Sequence, residues 1–362
     1  MSKKFIIAGG GTGGHIFPAL AIANAIKKMM PDATILFIGA KGKMEMEKVP
    51  QAGYDIVGLD IAGFNRSSLI KNIALPYKLV KSFFQVRSIF KKFRPVAVIG
   101  VGGYSTFPVL KYAQTLGIKT FIHESNSFAG KSNRMLAAKA TKIFTGTAGM
   151  EAFFPMEKTM VSGNPVRESI AGSTISQADG LKHFSLTADR KTILVVGGSL
   201  GAKSINEAIG AGLSKLDRAN LQLIWQTGKP FAARAKELAS AYKNIWVSDF
   251  ITEMQYAYAA ADVVVSRSGA MSVAELCVAG KPVIFVPFPF AAEDHQTVNA
   301  MQLVNQQAAQ IIKDEKASES LVEEVIKLAS DTEKQAILKK NISPLAIRNA
   351  DRIVAEEILK VI

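Results

Sequence analysis

The chain predicts an α/β protein built from two Rossmann-like domains, each a parallel sheet with crossover helices. Three observations carry that prediction. Apolar runs alternate with helix-like stretches through most of the 362 residues, the rhythm of parallel sheets. The chain is also long for one hydrophobic core. Finally, a glycine loop occupies the matching place in each half. Gly9-Gly10-Gly11-Thr12-Gly13-Gly14 follows Phe5-Ile6-Ile7-Ala8, and Gly197-Gly198-Ser199-Leu200-Gly201-Ala202 follows Thr192-Ile193-Leu194-Val195-Val196.

Strands are predicted over 4–8, 34–38, 55–59, 96–100, 119–122 and 142–145 in the first half, with helical spacing over 16–30. In the second half 192–196, 222–226, 244–247, 262–265 and 282–286 read as strands. The stretches 202–216, 230–241, 252–260, 270–279 and 296–306 read as helices between and after them. Ser162-Gly163-Asn164-Pro165 reads as a turn between the halves. The predicted domains are 1–163 and 164–340, with a helix in 341–362 packing back toward the first domain.

Composition narrows the function. Apolar residues at 48% and charged residues at 20% describe a folded chain. The single cysteine, Cys277, excludes an internal disulfide framework and lies in an apolar run that suits a core residue. Four scattered histidines have no metal-ligand spacing. No segment reads as a signal peptide or membrane span, which points to the cytoplasm. Through Pro165 there are 22 Lys+Arg against 8 Asp+Glu, and from Val166 onward 22 against 22, so the whole net charge of +14 sits in the first half. Such a one-sided field attracts an anionic surface: nucleic acid, anionic lipid or a phosphorylated substrate.

Glycine loops that follow a strand and open a helix present backbone N–H groups and a helix dipole to phosphate. The first loop contains GxGxxG, yet a dinucleotide site also wants an acid at the end of the second strand. Here Ile35-Leu36-Phe37-Ile38 ends in Gly39-Ala40, which counts against NAD or FAD. The second loop departs from a P-loop, because Ala202 precedes Lys203-Ser204 where glycine is required. Two further clusters, Gly100-Val101-Gly102-Gly103-Tyr104 and Ser266-Arg267-Ser268-Gly269-Ala270, also follow strands. Backbone N–H groups at the last could hold a diphosphate, with Glu275 accepting from ribose hydroxyls.

Seven segments together resemble a known family. They are Gly9-Gly10-Gly11-Thr12-Gly13-Gly14-His15-Ile16-Phe17-Pro18, Gly100-Val101-Gly102-Gly103-Tyr104-Ser105-Thr106-Phe107-Pro108, His123-Glu124-Ser125-Asn126, Gly163-Asn164-Pro165-Val166-Arg167, Gly197-Gly198-Ser199-Leu200-Gly201-Ala202, Arg267-Ser268-Gly269-Ala270-Met271-Ser272-Val273-Ala274-Glu275 and His295-Gln296. In order and spacing they resemble the MurG family of UDP-N-acetylglucosamine transferases, from residue 5 to about residue 306. The resemblance implies a GT-B architecture, two Rossmann-like domains facing across a cleft. It implies inverting transfer of GlcNAc from UDP-GlcNAc to the MurNAc 4-hydroxyl of undecaprenyl-diphosphate-MurNAc-pentapeptide, converting lipid I to lipid II. It also implies a place in peptidoglycan synthesis, peripheral on the cytoplasmic face of the inner membrane.

In-line attack by a hydroxyl needs a base, and departure of UDP needs positive potential. His15 suits the base, with an intrinsic pKa near neutral; its other reading is a helix-opening residue that only bonds the loop. Glu124 is the rival base. The resemblance places UDP-GlcNAc contacts at Thr12, Gly13 and Gly14 as a backbone cradle, Asn126 on sugar hydroxyls and Arg167 as phosphate partner. It adds Ser199 on the diphosphate, Ile251 at the uracil edge with Phe250 at its face, and Ala270, Met271 and Ser272 on the diphosphate. Glu275 meets the ribose and Gln296 the donor sugar. Gly102, Gly103 and Tyr104 fall on the acceptor side. No carboxylate pair suggests a metal site, so no metal and no cofactor is expected to be obligatory.

The segment 75–93 is an amphipathic helix in prospect. Leu79, Phe83, Val86, Phe90 and Phe93 form its core face. Ile73, Val80 and Phe84 form a second side beside Lys81, Arg87 and Lys91, a pattern suited to an anionic membrane unless loop 61–72 covers it. Three rivals remain: another GT-B sugar-nucleotide enzyme (an epimerase or a transferase with a soluble acceptor), a nicotinamide oxidoreductase, and a nucleic-acid-binding protein. No specific nucleic acid is expected, for want of any binding motif.

Overall fold

The structure is a computed structural model and describes residues 2–63, 73–198 and 200–362. Packing divides the chain into two compact units, Met1–Arg167 with Asn349–Ile362, and Glu168–Arg348. Residues 341–348, grouped with the last helix on sequence grounds, lie in the second unit.

The first unit carries strands β1 (Lys4–Ala8), β2 (Thr34–Ala40), β3 (Asp55–Leu59), β4 (Ala97–Gly100), β5 (Lys119–Glu124), β6 (Lys142–Thr145) and β7 (Thr159–Val161). They pair in the order β3-β2-β1-β4-β5-β6-β7, parallel throughout. Its helices are α1 (Gly13–Met29), α2 (Glu45–Gln51), α3 (Leu75–Phe93), α4 (Thr106–Thr115) and α5 (Lys131–Ala137), together with the chain's last helix, Ala350–Leu359. Alternation along β1 sends Phe5 and Ile7 into one core and Ile6 and Ala8 into the other. A strand covered on both faces therefore reads as one apolar run. Val354, Ala355 and Ile358 of the last helix join the core that holds Ile22 and Ile26 of α1.

The second unit carries β8 (Lys191–Val196), β9 (Leu221–Gln226), β10 (Ile245–Ser248), β11 (Val263–Ser266), β12 (Val283–Phe285) and β13 (Gln310–Ile311). Their order is β10-β9-β8-β11-β12-β13, again parallel. Around them lie α6 (Glu168–Ala171), α7 (Gln177–His183), α8 (Lys203–Arg218), α9 (Lys229–Ala239), α10 (Met254–Ala260), α11 (Ala270–Ala279), α12 (His295–Val304), α13 (Ala317–Ser330) and α14 (Thr332–Ile342). Trp225 is fully buried, and its indole N–H donates to Asn206 Oδ1 at 3.0 Å, so the core holds no orphaned donor there.

Both sheets are doubly wound. Strand order reverses between β1 and β4 in the first and between β8 and β11 in the second, and open α/β sheets bind ligands at the carboxyl ends of strands at that reversal. All four glycine clusters follow one of those four strands.

The last helix contributes core rather than decoration to the first unit. Ile358→Ala removes a side chain with no solvent exposure and is expected to destabilise that unit by about 2–5 kcal/mol, measured as a lowered urea midpoint.

Candidate active site

At the first reversal the two glycine clusters interlock backbone to backbone. Gly10 N donates to Gly102 O at 3.3 Å, and Val101 N donates to Ala8 O at 3.0 Å. Gly103, with φ +91°, lies so near that a Cβ there would stand 2.4 Å from Gly10 O. Thr106 Oγ1 donates to both Ala8 O (3.1 Å) and Gly102 O (2.9 Å), pinning the start of α4 to the junction. Sequence reasoning placed this threonine in a motif but gave it no role, because its hydroxyl serves backbone alone.

α1 starts at Gly13 behind an extended Thr12, and its first backbone bonds are His15 N and Ile16 N to Thr12 O at 3.1 and 3.2 Å. No acidic residue lies in its first turn, so the dipole end stays open to an anion at Thr12, Gly13 and Gly14. His15 is half-buried. Its Nδ1 lies 2.9 Å from Gly10 O; a carbonyl only accepts, so Nδ1 carries a proton, and in the neutral ring Nε2 keeps the lone pair. Among the described residues Nε2 has no hydrogen-bond partner, and a Cβ on Gly102 would stand 2.8 Å from it. Tyr104 beside it is exposed.

Glu124 occupies a different setting. It ends β5, is 4% exposed, and accepts four hydrogen bonds: Asn126 N (3.1 Å), Asn126 Nδ2 (3.4 Å), Gly130 N (2.9 Å) and Asn133 Nδ2 (2.9 Å). The carboxylate thus shapes loop 125–130, seats α5 and orients Asn126. His123, one residue earlier, is completely buried; Nε2 donates to Gly163 O at 3.2 Å and Nδ1 faces Ser125 Oγ at 3.4 Å. Burial pushes its imidazole down to about 4, with His15 adding a smaller lowering effect. Arg167 belongs to this first unit, its guanidinium 5.4 Å above the Phe17 ring on α1.

In the second unit the loop after β8 is clasped by the ends of β9 and β10. Gln226 Nε2 donates to Gly198 O (2.8 Å) and Asp249 O (3.2 Å). Gly201, with φ +76°, lies where a Cβ would stand 2.0 Å from Thr227 O. Ser199 lies outside the described residues. The loop feeds α8 through Ala202, which has no side-chain cap.

After β11, Gly269 caps α11 in extended conformation, and Val273 N returns to Gly269 O at 3.0 Å. The N–H groups of Met271 and Ser272 thus precede the first intrahelical bond, and Ala270 opens the turn. Arg267 faces elsewhere: its guanidinium donates to Val286 O (2.9 Å) and Pro287 O (3.0 Å), reaches Ser204 Oγ at 3.1 Å and pairs with Asp314. It fastens β12 and α8 beneath the loop. Glu275 is 8% exposed, and Tyr258 OH donates to its Oε2 at 3.0 Å; Tyr258, in an alanine-rich stretch, drew no notice in the sequence. Gln296 opens α12 beside this loop, its backbone O accepting from Ser268 Oγ at 2.8 Å and its Oε1 from Phe288 N at 3.0 Å. Ile251 is buried and Phe250 exposed. Cys277 is 5% exposed, and burial pushes its thiol up to about 12, which leaves it inert at neutral pH. Among the described residues no cluster of His, Cys, Asp or Glu could hold a metal ion.

α3 buries Ser82, Val86 and Phe90. Its opposite side exposes Tyr77 (71%), Val80 (56%) and Phe84 (67%), continued by Ile73 (77%) in the turn before the helix, with Tyr77 an addition to the sequence reading. Arg87 and Lys91 are exposed alongside, whereas Lys81 pairs with Asp60 at 2.9 Å, as does Lys41 at 2.8 Å. The covering loop considered from sequence, 61–72, lies outside the described residues from 64 onward. No helix among the described residues is long and apolar enough to cross a membrane.

Two doubly wound units with phosphate-suited loops at both reversals define a sugar-nucleotide enzyme architecture. Residues 5–145 match the glycosyltransferase family 28 N-terminal domain and residues 192–354 its C-terminal domain. A relative from Parabacteroides distasonis, named UDP-N-acetylglucosamine--N-acetylmuramyl-(pentapeptide) pyrophosphoryl-undecaprenol N-acetylglucosamine transferase, is 49% identical over 99% of this chain and 98% of its own. A protein of the same name from Flavobacterium psychrophilum is 46% identical over 99% and 98%. The crystal structure of Acinetobacter baumannii MurG superposes with a TM-score of 0.79 at 30% identity, covering 99% of both chains. A UDP-GlcNAc 2-epimerase from Neisseria meningitidis superposes at 0.69 with 16% identity, a likeness of fold alone. The chain belongs to the MurG family of glycosyltransferases.

The buried His123 makes a pH prediction. The folded chain refuses below 6.5 a proton that the unfolded chain accepts, down to about 4. Its contribution is therefore complete above pH 6.5 and lost as pH falls toward 4. His123→Gln is expected to flatten the fall of the thermal midpoint across that window, measured as the difference from the parent protein at each pH.

Proposed function

We propose that the chain transfers GlcNAc from UDP-GlcNAc to the MurNAc 4-hydroxyl of undecaprenyl-diphosphate-MurNAc-pentapeptide, with inversion, converting lipid I to lipid II. The observation that carries this reading is identity near one half with MurG relatives over 99% of the chain. The site chemistry supports it residue by residue. UDP-GlcNAc is assigned to the second unit, its diphosphate on the loop after β8, including Ser199, and on the first turn of α11 at Ala270, Met271 and Ser272. Glu275, steadied by Tyr258, accepts from the ribose; Phe250 and the Ile251 backbone take the uracil, and Gln296 the sugar.

The acceptor is assigned to the first unit, with Gly102, Gly103 and Tyr104 around it, and the cradle of Thr12, Gly13 and Gly14 is kept as a UDP-GlcNAc contact. His15 is the general base: its bare Nε2 takes the proton from the attacking hydroxyl while Gly10 O stabilises the imidazolium that forms. The four donors on Glu124 favour a positioning role there, with Asn126 turned to a sugar hydroxyl. Arg167 balances phosphate charge. Protonation of His15 conserves the proton, and UDP leaves with the bonding electrons of the broken glycosidic bond.

The test is transfer from UDP-GlcNAc to lipid I in detergent, with titration calorimetry against UDP-GlcNAc, UDP-GalNAc, UDP-glucose and NADH. Selective UDP-GlcNAc binding and formation of lipid II are expected; NADH binding, or epimerisation without transfer, would overturn the reading. His15→Ala is expected to lower kcat by about 10²–10⁴ with unchanged affinity for UDP-GlcNAc. Glu124→Gln, which leaves His15 in place, is expected to lose less than His15→Ala in the same assay.

The stripe on α3 is assigned to the anionic surface of the cytoplasmic leaflet, making the protein peripheral. Four exposed apolar side chains supply insertion, and Arg87 and Lys91 supply attraction, about 1 kcal/mol for each cation near the surface. Sedimentation with phosphatidylglycerol vesicles should fall with rising salt. Val80→Asp/Phe84→Asp should weaken it at every salt concentration.

A further inference from the structure

We propose that Glu45 is a positioning residue for His15, acting through the Gly10–Gly11 peptide; the inference rests on the reading of His15 as the base. Glu45 opens α2 and is 1% exposed. Its Oε2 accepts from Gly11 N at 2.8 Å and its Oε1 from Ala40 N at 2.9 Å. The side chain fills a slot that two glycines leave open. A Cβ on Gly10 would stand 2.3 Å from its carboxyl carbon, and a Cβ on Gly39 2.4 Å from its Cγ.

Burying a carboxylate against two backbone donors is costly, and an apolar side chain would fill the same space without that cost. What the carboxylate supplies is direction. The N–H of Gly11 and the C=O of Gly10 belong to one planar peptide unit and point opposite ways. Glu45 holds the N–H end. The C=O end accepts from His15 Nδ1 at 2.9 Å. Carboxylate, peptide and imidazole therefore form one chain, in which each bond polarises the next.

The peptide would otherwise turn easily. It lies between two glycines, with φ of +147° at Gly10 and +88° at Gly11. A flip would aim the Gly11 N–H at His15 and turn the Gly10 carbonyl onto the carboxylate. Glu45 forbids that flip by repulsion. It thereby keeps the proton on Nδ1 and the lone pair on Nε2, where the attacking hydroxyl needs it.

The test compares Glu45→Gln and Glu45→Ala in the full-length chain. Gln keeps the volume but sets an NH₂ group against one of the two N–H donors. In ¹⁵N spectra of the histidine rings, the parent should hold His15 as the Nδ1–H tautomer. Glu45→Ala should mix the two tautomers, and Glu45→Gln should do so in part. Lipid II formation should fall about tenfold to a hundredfold in kcat, with KM for UDP-GlcNAc unchanged. In a His15→Ala background, Glu45→Gln should add less than a twofold loss, because the group it positions is gone. The parent tautomer retained in both variants, or a loss that multiplies fully in the His15→Ala background, would overturn the proposal. Should Glu45→Ala fail to fold, the same readouts on Glu45→Gln decide. Full turnover in His15→Ala alone would instead overturn the base assignment, and the tautomer readout judges Glu45 apart from it.

Discussion

The site depends on close backbone approach at and beside the strand-order reversals. Gly10 and Gly103 meet between β1 and β4 with no room for a Cβ, and Gly201 meets Thr227 O as closely between the loops after β8 and β9, beside the second reversal. Because the loops touch as bare backbone, the helix that follows each begins close to the neighbouring strand's loop. In the first unit, His15 on α1 therefore comes to lie against Gly102 beyond β4. A side chain at Gly103 would part the ends of β1 and β4 and disturb the Gly10 carbonyl that His15 Nδ1 meets. The reversal determines where a ligand goes, and the glycines let two loops serve one place.

The two paired loops are alike in geometry and differ in charge. The first is gripped by a carboxylate, Glu45, and the second by a neutral amide, Gln226. A carboxylate behind the Gly11 N–H reduces the attraction of that loop for free phosphate. An amide leaves the potential of the second loop intact. The neutral grip leaves the loop after β8 the better suited of the two to a diphosphate, while Glu45 orients the peptide that meets the His15 imidazole. The basic excess of the first half acts at longer range, since the strongest local contacts there are neutral or negative.

The fold was legible because strands buried on both faces appear as unbroken apolar runs between glycine-marked turns. Only β7 and β13 escaped notice. They are three and two residues long at sheet edges, too short to make a run. The loops were legible as well, since each glycine cluster follows a strand. Partners that act through the backbone were not legible. Glu45 lies five residues beyond the end of β2, while the dinucleotide pattern directed attention to the strand end itself. Its meaning appears only when β2 is registered beside β1 and the Gly10 and Gly39 slots align. Arg267 stood in the sequence only as part of a glycine cluster after a strand, with no role of its own. Its four partners, Val286, Pro287, Ser204 and Asp314, come from three separate segments that only the folded chain unites.

Charge on α3 follows the same logic of pairing. From Ile61 to His123 the chain has no acid, which suggests that every cation there faces outward unopposed. Asp60, one residue before that stretch, collects both Lys41 and Lys81, and their ammonium groups hold its carboxyl down to about 2. Lys81 is thus spent within the fold, tying α3 to the end of β3. Phe90 meets Tyr112 edge to face at 5.3 Å on the buried side, so the helix is tied to the fold along its length and near its end. The helix so held presents Tyr77, Val80 and Phe84 on one exposed side, with Ile73 exposed in the turn before it. A stripe already ordered by its helix would lose less conformational entropy on meeting a surface than a loose segment would.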